Sequence, residues 1–155
     1  LNLYLNHLRI IPLGNSIDNQ QETHLFLIWN KGIYQIDNIL ADIKRKFKVI
    51  EQTTIEWNPK DFKNKITEFY GVNLIGLRRK IYHCGKGCFE VVVIKDKSPK
   101  YDYRFTSKGL KRVNVNIFDS KVLYRNWTGG GHRVHATNDQ GESNRDINYI
   151  YGKTL

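Results

Sequence analysis

The sequence contains no methionine, only two cysteines and three prolines, and its acidic residues are outnumbered by basic ones, 15 to 25. Having only Cys84 and Cys88 excludes a fold held by several disulfides and suits a reducing, cytoplasmic compartment, leaving one bridge between the two open. No stretch approaches the roughly 18 apolar residues needed to cross a bilayer. The most apolar runs, Leu25 to Trp29 and Val91 to Ile94, are of strand length, so neither a span nor a membrane partner is expected. Leu1 to Gly14 lacks the basic flank, unbroken apolar run and small-residue cleavage site of a signal peptide. Residues 1–23 read as an arm ahead of one domain covering 24–155. With no methionine and a bulky Leu1 at its start, that domain is expected to belong to a longer polypeptide.

What is present is a globular composition: 155 residues, 40% hydrophobic and 12% aromatic, enough apolar surface to offset the entropy of ordering one domain. The net charge of +10 calls for an anionic partner. Lys44, Arg45, Lys46 and Lys48 fall at an expected helix end, where cations favour the helix dipole. Arg78, Arg79, Lys80, Lys86, Lys95, Lys97, Lys100, Arg104, Lys108, Lys111 and Arg112 concentrate mid-chain. Such a run suits a polyphosphate or a nucleic acid, and charge alone does not choose between them.

Periodicity supplies the elements. His24 to Trp29 is a buried strand ended by the turn Asn30-Lys31-Gly32. Ile36, Ile39, Leu40, Ile43 and Phe47 line one helix face, and Val49 to Trp57 follows as a strand. Asn58 and Pro59 are expected to cap and open a second helix with Phe62, Ile66 and Phe69 inward. Ile75 to Lys80 is short and helical or irregular, Phe89 to Ile94 is a strand, and a long, irregular basic insertion follows. His132 to Thr137 alternates as a strand, and Asp139 to Tyr149 is helical. This order favours an α+β sandwich on a mostly antiparallel four-stranded sheet.

Several motifs are weak. Cys84 and Cys88 with His83 supply at most three metal ligands, so no protein-held metal site is expected. Gly129 to Gly131 can approach phosphates, yet no P-loop or dinucleotide fingerprint accompanies them. The segment Arg125 to Asn138 is richer, with two arginines and two histidines around a glycine-rich approach. His132 and His135 lie on opposite faces of an extended strand, which disfavours a shared metal. His135, at a strand end before an acidic helix start, stands where a nucleophile or base would.

His135-Ala-Thr-Asn138, with Glu142 and Arg145-Asp-Ile147 behind it, resembles the active-site segment of nucleoside diphosphate kinases. Further matches are His24 to Gly32 with the helix and strand after it, Phe89 to Ile94, and Phe118 to Arg125. Together they cover about Leu25 to Tyr151 in the right order. The resemblance implies a ferredoxin-like βαββαβ fold and a ping-pong phosphotransferase. A nucleoside triphosphate would phosphorylate His135, with magnesium carried on the nucleotide, and a diphosphate or other acceptor would receive the group. It implies Asp146 as the group orienting the imidazole, Thr137 as the small hydroxyl residue, Arg125 as a phosphate ligand and Tyr70 as a base-stacking or active-site tyrosine. Arg104 or Arg112 would be the second phosphate arginine, with Arg133 adding charge. Oligomer formation is also implied.

The chain departs from the pattern at two positions. Trp29 stands where the family has a lysine, with Lys31 two positions later on the same strand face as the expected substitute phosphate ligand, and His132, also expected at the phosphate site, replaces an asparagine. These departures point away from housekeeping interconversion of nucleotides. Two other readings stay open: a non-catalytic nucleic-acid-binding module of the same fold, using Trp57, Tyr101, Tyr103, Phe105 and Trp127, and a nucleotide-sensing regulatory domain.

Overall fold

A computed structural model describes residues 20–71 and 76–155. The arm expected over residues 1–23 lies mostly outside the described residues, as does Ile75. Strand β1 (Glu22–Ile28) leads through a 3-10 segment (Asn30–Gln35) into α1 (Ile36–Lys46) and β2 (Lys48–Ile55). Helices α2 (Phe62–Tyr70) and α3 (Leu77–Cys84) precede β3 (Phe89–Asp96). The hairpin β4 (Tyr101–Thr106) and β5 (Gly109–Asn114), helix α4 (Val115–Trp127), β6 (Val134–Ala136) and α5 (Gln140–Tyr151) complete the order.

The main sheet runs β2-β3-β1-β6 with every neighbouring pair antiparallel, the expected ferredoxin-like arrangement. Because side chains alternate across a strand, β1 feeds two cores. Leu25, Leu27 and Trp29 pack with Phe62, Ile66, Phe69, Cys84 and Ile147 from α2, α3 and α5. Phe26 and Ile28 pack with Ile39 and Ile43 of α1 and Ile117 and Tyr124 of α4. Burying such side chains stabilises by about 1.5–3 kcal/mol each, which is why β1 and β3 read as continuous apolar runs. Leu27 pairs with Val91 on one side and His135 on the other, so the three share a face. His135 therefore points into the layer of α2, α3 and α5.

Two local expectations are revised, and one left open is decided. Asn58 and Pro59 form a turn rather than a helix start, with the Asn58 Oδ1 and carbonyl accepting from the Lys60 and Asp61 amides, and α2 begins at Phe62. The stretch expected as a long, irregular basic insertion is instead regular structure: a tight hairpin whose base is tied to α4 by a bond from the Val115 amide to the Lys100 carbonyl, followed by α4 itself. Both cysteine thiols are free. Among the described residues no helix is long and apolar enough to cross a membrane.

Candidate active site

Strand β6 is an edge of the sheet, and its position determines the surroundings of His135. The Trp29 amide donates to the Arg133 carbonyl, so the next carbonyl, that of Val134, faces out of the sheet edge. There Arg125 Nε takes it at 2.7 Å. Helix α4 thus reaches round the edge from the opposite layer, bringing Arg125 and, one turn earlier, Lys121. The Lys121 ammonium donates to Asn138 Oδ1 at 3.3 Å, three residues beyond His135.

The His135 ring is 8% exposed and packs edge-on against Phe69 and Tyr70, with centroids 5.1 and 5.3 Å away. Its Nε2 lies 2.8 Å from Asp146 Oδ2, and the other oxygen of Asp146 accepts from Arg145. Helix α5 can present Asp146 here because Asp139 caps its start, accepting from the Glu142 amide, and Ser143 ties its first turn to the Thr23 carbonyl of β1. Burial pushes the imidazole pKa down to about 4, against the opposing pull of Asp146, so the ring is neutral at pH 7. A neutral ring donating from Nε2 to a carboxylate carries its lone pair on Nδ1. Nδ1 has no hydrogen-bond partner among the described residues.

Three cations converge on this ring. Lys80 of α3 sits over the Tyr70 ring, 3.4 Å from its centroid, and Tyr70 in turn touches His135. Lys80, Lys121 and Arg125 have no carboxylate within 4.0 Å among the described residues. Burial pushes both lysine pKa values down to about 8, Arg125 adding its repulsion to each. Burial lowers the Arg125 pKa as well. Unpaired cations held this close are costly unless an anion joins them.

Of the residues expected at the site, His135, Asp146, Arg125 and Tyr70 are brought together. The Tyr70 hydroxyl accepts from Trp29 Nε1 at 3.2 Å, and burial raises its pKa well above the ordinary phenol value. His132 flanks the site half-buried, its pKa pushed down to about 4 by burial and by Lys80 and Arg125. Thr137 is not in the pocket: it is fully buried, its hydroxyl held by His24 Nδ1 at 2.8 Å and by the Leu25 amide. Lys31 turns away to the α3 C-terminus, donating to the Tyr82 carbonyl at 2.6 Å. Arg104 pairs with Asp119 and Arg112 stacks on Tyr101, both on the hairpin. Arg133 donates to the Thr128 carbonyl beneath the loop of Gly129 to Gly131, whose positive φ values only glycine adopts readily.

Sequence reasoning gave no site role to Lys80 or Glu142, although it singled out both stretches, and passed over Lys121. The two lysines lie on the buried stripes of their helices, Lys80 beside Leu77, Ile81 and Cys84, and Lys121 between Ile117 and Tyr124. A lysine inside an apolar stripe was the available signal. Glu142, half-buried with its pKa raised by burial and by Asp146, joins His135 and Asp146 in a group whose ligand atoms lie within 4.8 Å of one another.

No family model matches the chain, and no curated protein matches it in sequence. In three dimensions it has the fold of the nucleoside diphosphate kinases. The Aquifex aeolicus enzyme superposes with a TM-score of 0.57 at 13% identity, over 85% of this chain and 96% of that one. The Encephalitozoon cuniculi enzyme gives 0.59 at 12%, over 85% and 90%. A Borrelia burgdorferi structure described as a transition state mimic with bound vanadate and ADP gives 0.51 at 10%, over 84% and 87%. At these identities the likeness is one of fold.

Proposed function

We propose that the protein is a nucleotide-dependent phosphotransferase that carries the phosphoryl group on Nδ1 of His135. One observation carries the reading: a neutral imidazole, held through Nε2–H by Asp146 with Nδ1 uncommitted, lies among three cations that have no carboxylate partner. The fold, shared with structures that hold ADP and vanadate or CDP, supports it.

In the first half-reaction the Nδ1 lone pair attacks the γ-phosphorus of a nucleoside triphosphate. The bond to the bridging oxygen breaks, and the diphosphate leaves with that electron pair. Positive charge developing on the ring is stabilised by Asp146, which keeps its bond to Nε2–H. Lys80, Lys121 and Arg125 offset charge on the phosphoryl oxygens, and burial of the ring limits access of water. In the second half-reaction an acceptor oxygen attacks phosphorus in line and the N–P electron pair returns to Nδ1. Lys80 and Lys121 supply the positive charge that Lys31, Arg104 and Arg112 do not bring to the ring.

Magnesium fits this donor set in a limited way. Both Asp146 oxygens are engaged, which leaves Glu142 as the one carboxylate able to face a nucleotide-borne ion. The ion would neutralise charge on the phosphates. Incubation with γ-labelled ATP and magnesium is expected to give an acid-labile, alkali-stable label that His135→Ala abolishes. Equal label in that variant excludes the reading.

A further inference from the structure

The cations around His135 account for few of the protein's basic residues, and a second concentration lies against the other helical layer. A groove of about 910 Å³ runs between the end of α1, the start of β2, the end of β3 and the first half of α4. Lys44, Arg45, Lys46, Lys48 and Lys97 line it. Its two acidic residues are already engaged. Asp96 accepts from Asn114, Asn116 and the Ser98 amide, and Asp119 accepts both guanidinium bonds of Arg104 at 3.0 Å. Arg45 and Lys46 share Asp42, whereas Lys44, Lys48 and Lys97 have no carboxylate within 4.0 Å among the described residues. At the same end of the sheet Lys48 is the register partner of Lys95, and like charges directly opposite in a sheet are unfavourable.

The β4–β5 hairpin adjoins this groove through the Arg104–Asp119 pair. Tyr103, Phe105, Leu110 and Arg112 share the hairpin face opposite Arg104 by register, with Tyr103, Phe105 and Leu110 exposed at 58%, 84% and 55%, so a strand leaving the groove meets these rings by passing round the hairpin. Exposed aromatic side chains interleaved with Arg104, Lys108, Lys111 and Arg112 form a platform for unpaired bases. An anionic membrane or an acidic protein would account for the charge but not for this pairing of a basic groove with exposed stacking rings.

We infer that the groove and hairpin together form a binding surface for single-stranded nucleic acid, the phosphodiester backbone in the groove and the bases of the continuing strand against Tyr103 and Phe105. His135 is not among the residues that form this surface.

The test is fluorescence anisotropy of the full chain with a labelled oligouridylate of about 20 nucleotides, a length above the span of one such surface. Saturable, steeply salt-dependent binding is expected. The Lys44→Glu, Lys48→Glu, Lys97→Glu triple variant is expected to bind at least tenfold more weakly, with the slope of log affinity against log salt reduced by about 2. Phe105→Ala is expected to weaken binding by about tenfold with the slope unchanged, and His135→Ala to leave it unaltered. Circular dichroism checks that each variant is folded. Absence of saturable binding at low salt overturns the inference, as does wild-type affinity in both folded surface variants. Equally tight, competing attachment to anionic vesicles assigns the surface to a membrane and overturns it too.

Discussion

Replacing Lys80 by methionine probes the charge balance of the pocket with little change in shape. In the free protein Lys80 and Lys121 titrate near pH 8 because burial and the neighbouring Arg125 disfavour their charged forms. A bound phosphate favours the ammonium forms, so both pKa values rise on binding. The consequence has a definite sign: affinity for ADP falls as pH rises through 8. If both lysines must be charged, each proton contributes about 1.36 kcal/mol per pH unit beyond its pKa, or about a hundredfold loss between pH 7 and 9. The nucleotide does not mask this, since its own second ionisation is complete below that range. Lys80→Met removes one charged contact, worth about 1.5–3 kcal/mol, and so weakens binding at pH 7 by about tenfold or more. It also removes a repulsion that depresses Lys121, so the remaining fall is about tenfold and its midpoint moves above 8. Calorimetric titration of ADP between pH 6.5 and 9.5 reads both effects. Wild-type affinity indifferent to pH, or a variant that binds as tightly as wild type, refutes the assignment of Lys80 to the phosphate pocket.

Four further outcomes are expected. Asp146→Asn leaves the ring buried but deprives the developing imidazolium of its carboxylate, and is expected to slow phosphorylation of His135 at least about 100-fold with little loss of ADP affinity, by rapid-quench kinetics. Thr137→Val leaves His24 Nδ1 buried without its 2.8 Å partner and is expected to cost about 1–3 kcal/mol in urea unfolding, while labelling of the folded variant persists. Trp29→Ala opens a cavity among Trp57, Phe62, Phe69 and Phe89 and is expected to cost about 3–5 kcal/mol. Trp29→Lys adds an unpaired buried charge and unfolds the domain, read by the same denaturation.

The fold was legible where one physical signal dominated. The apolar runs of β1 and β3 and the 3.6-residue stripe of α1 admit few alternatives, and chain order then fixed the sheet. The hairpin was hidden because the aromatic face of Tyr101 to Thr106 stays largely exposed and Gly109 to Asn114 shows no sustained alternation. At the site, His135, Asp146 and Arg125 follow from one segment and its neighbours. Lys31 failed as the substitute cation for a geometric reason: a shift of two keeps the same face only in an extended strand, and the chain turns into a 3-10 segment at Asn30. Lys80 and Lys121 come from two helices on opposite layers, and only the edge position of β6 lets both reach one ring. No spacing along the chain encodes that convergence.

The central claim is that Nδ1 of His135 carries the transferred group. Its most direct test is to label the full chain with γ-labelled ATP and magnesium, isolate the phosphoprotein and chase it with a nucleoside diphosphate. Nearly stoichiometric phosphate at Nδ1 of His135, returned to added ADP as ATP by reversal of the labelling step, is the expected result. A protein that binds ADP yet acquires no label, or one whose label persists in His135→Ala, contradicts it.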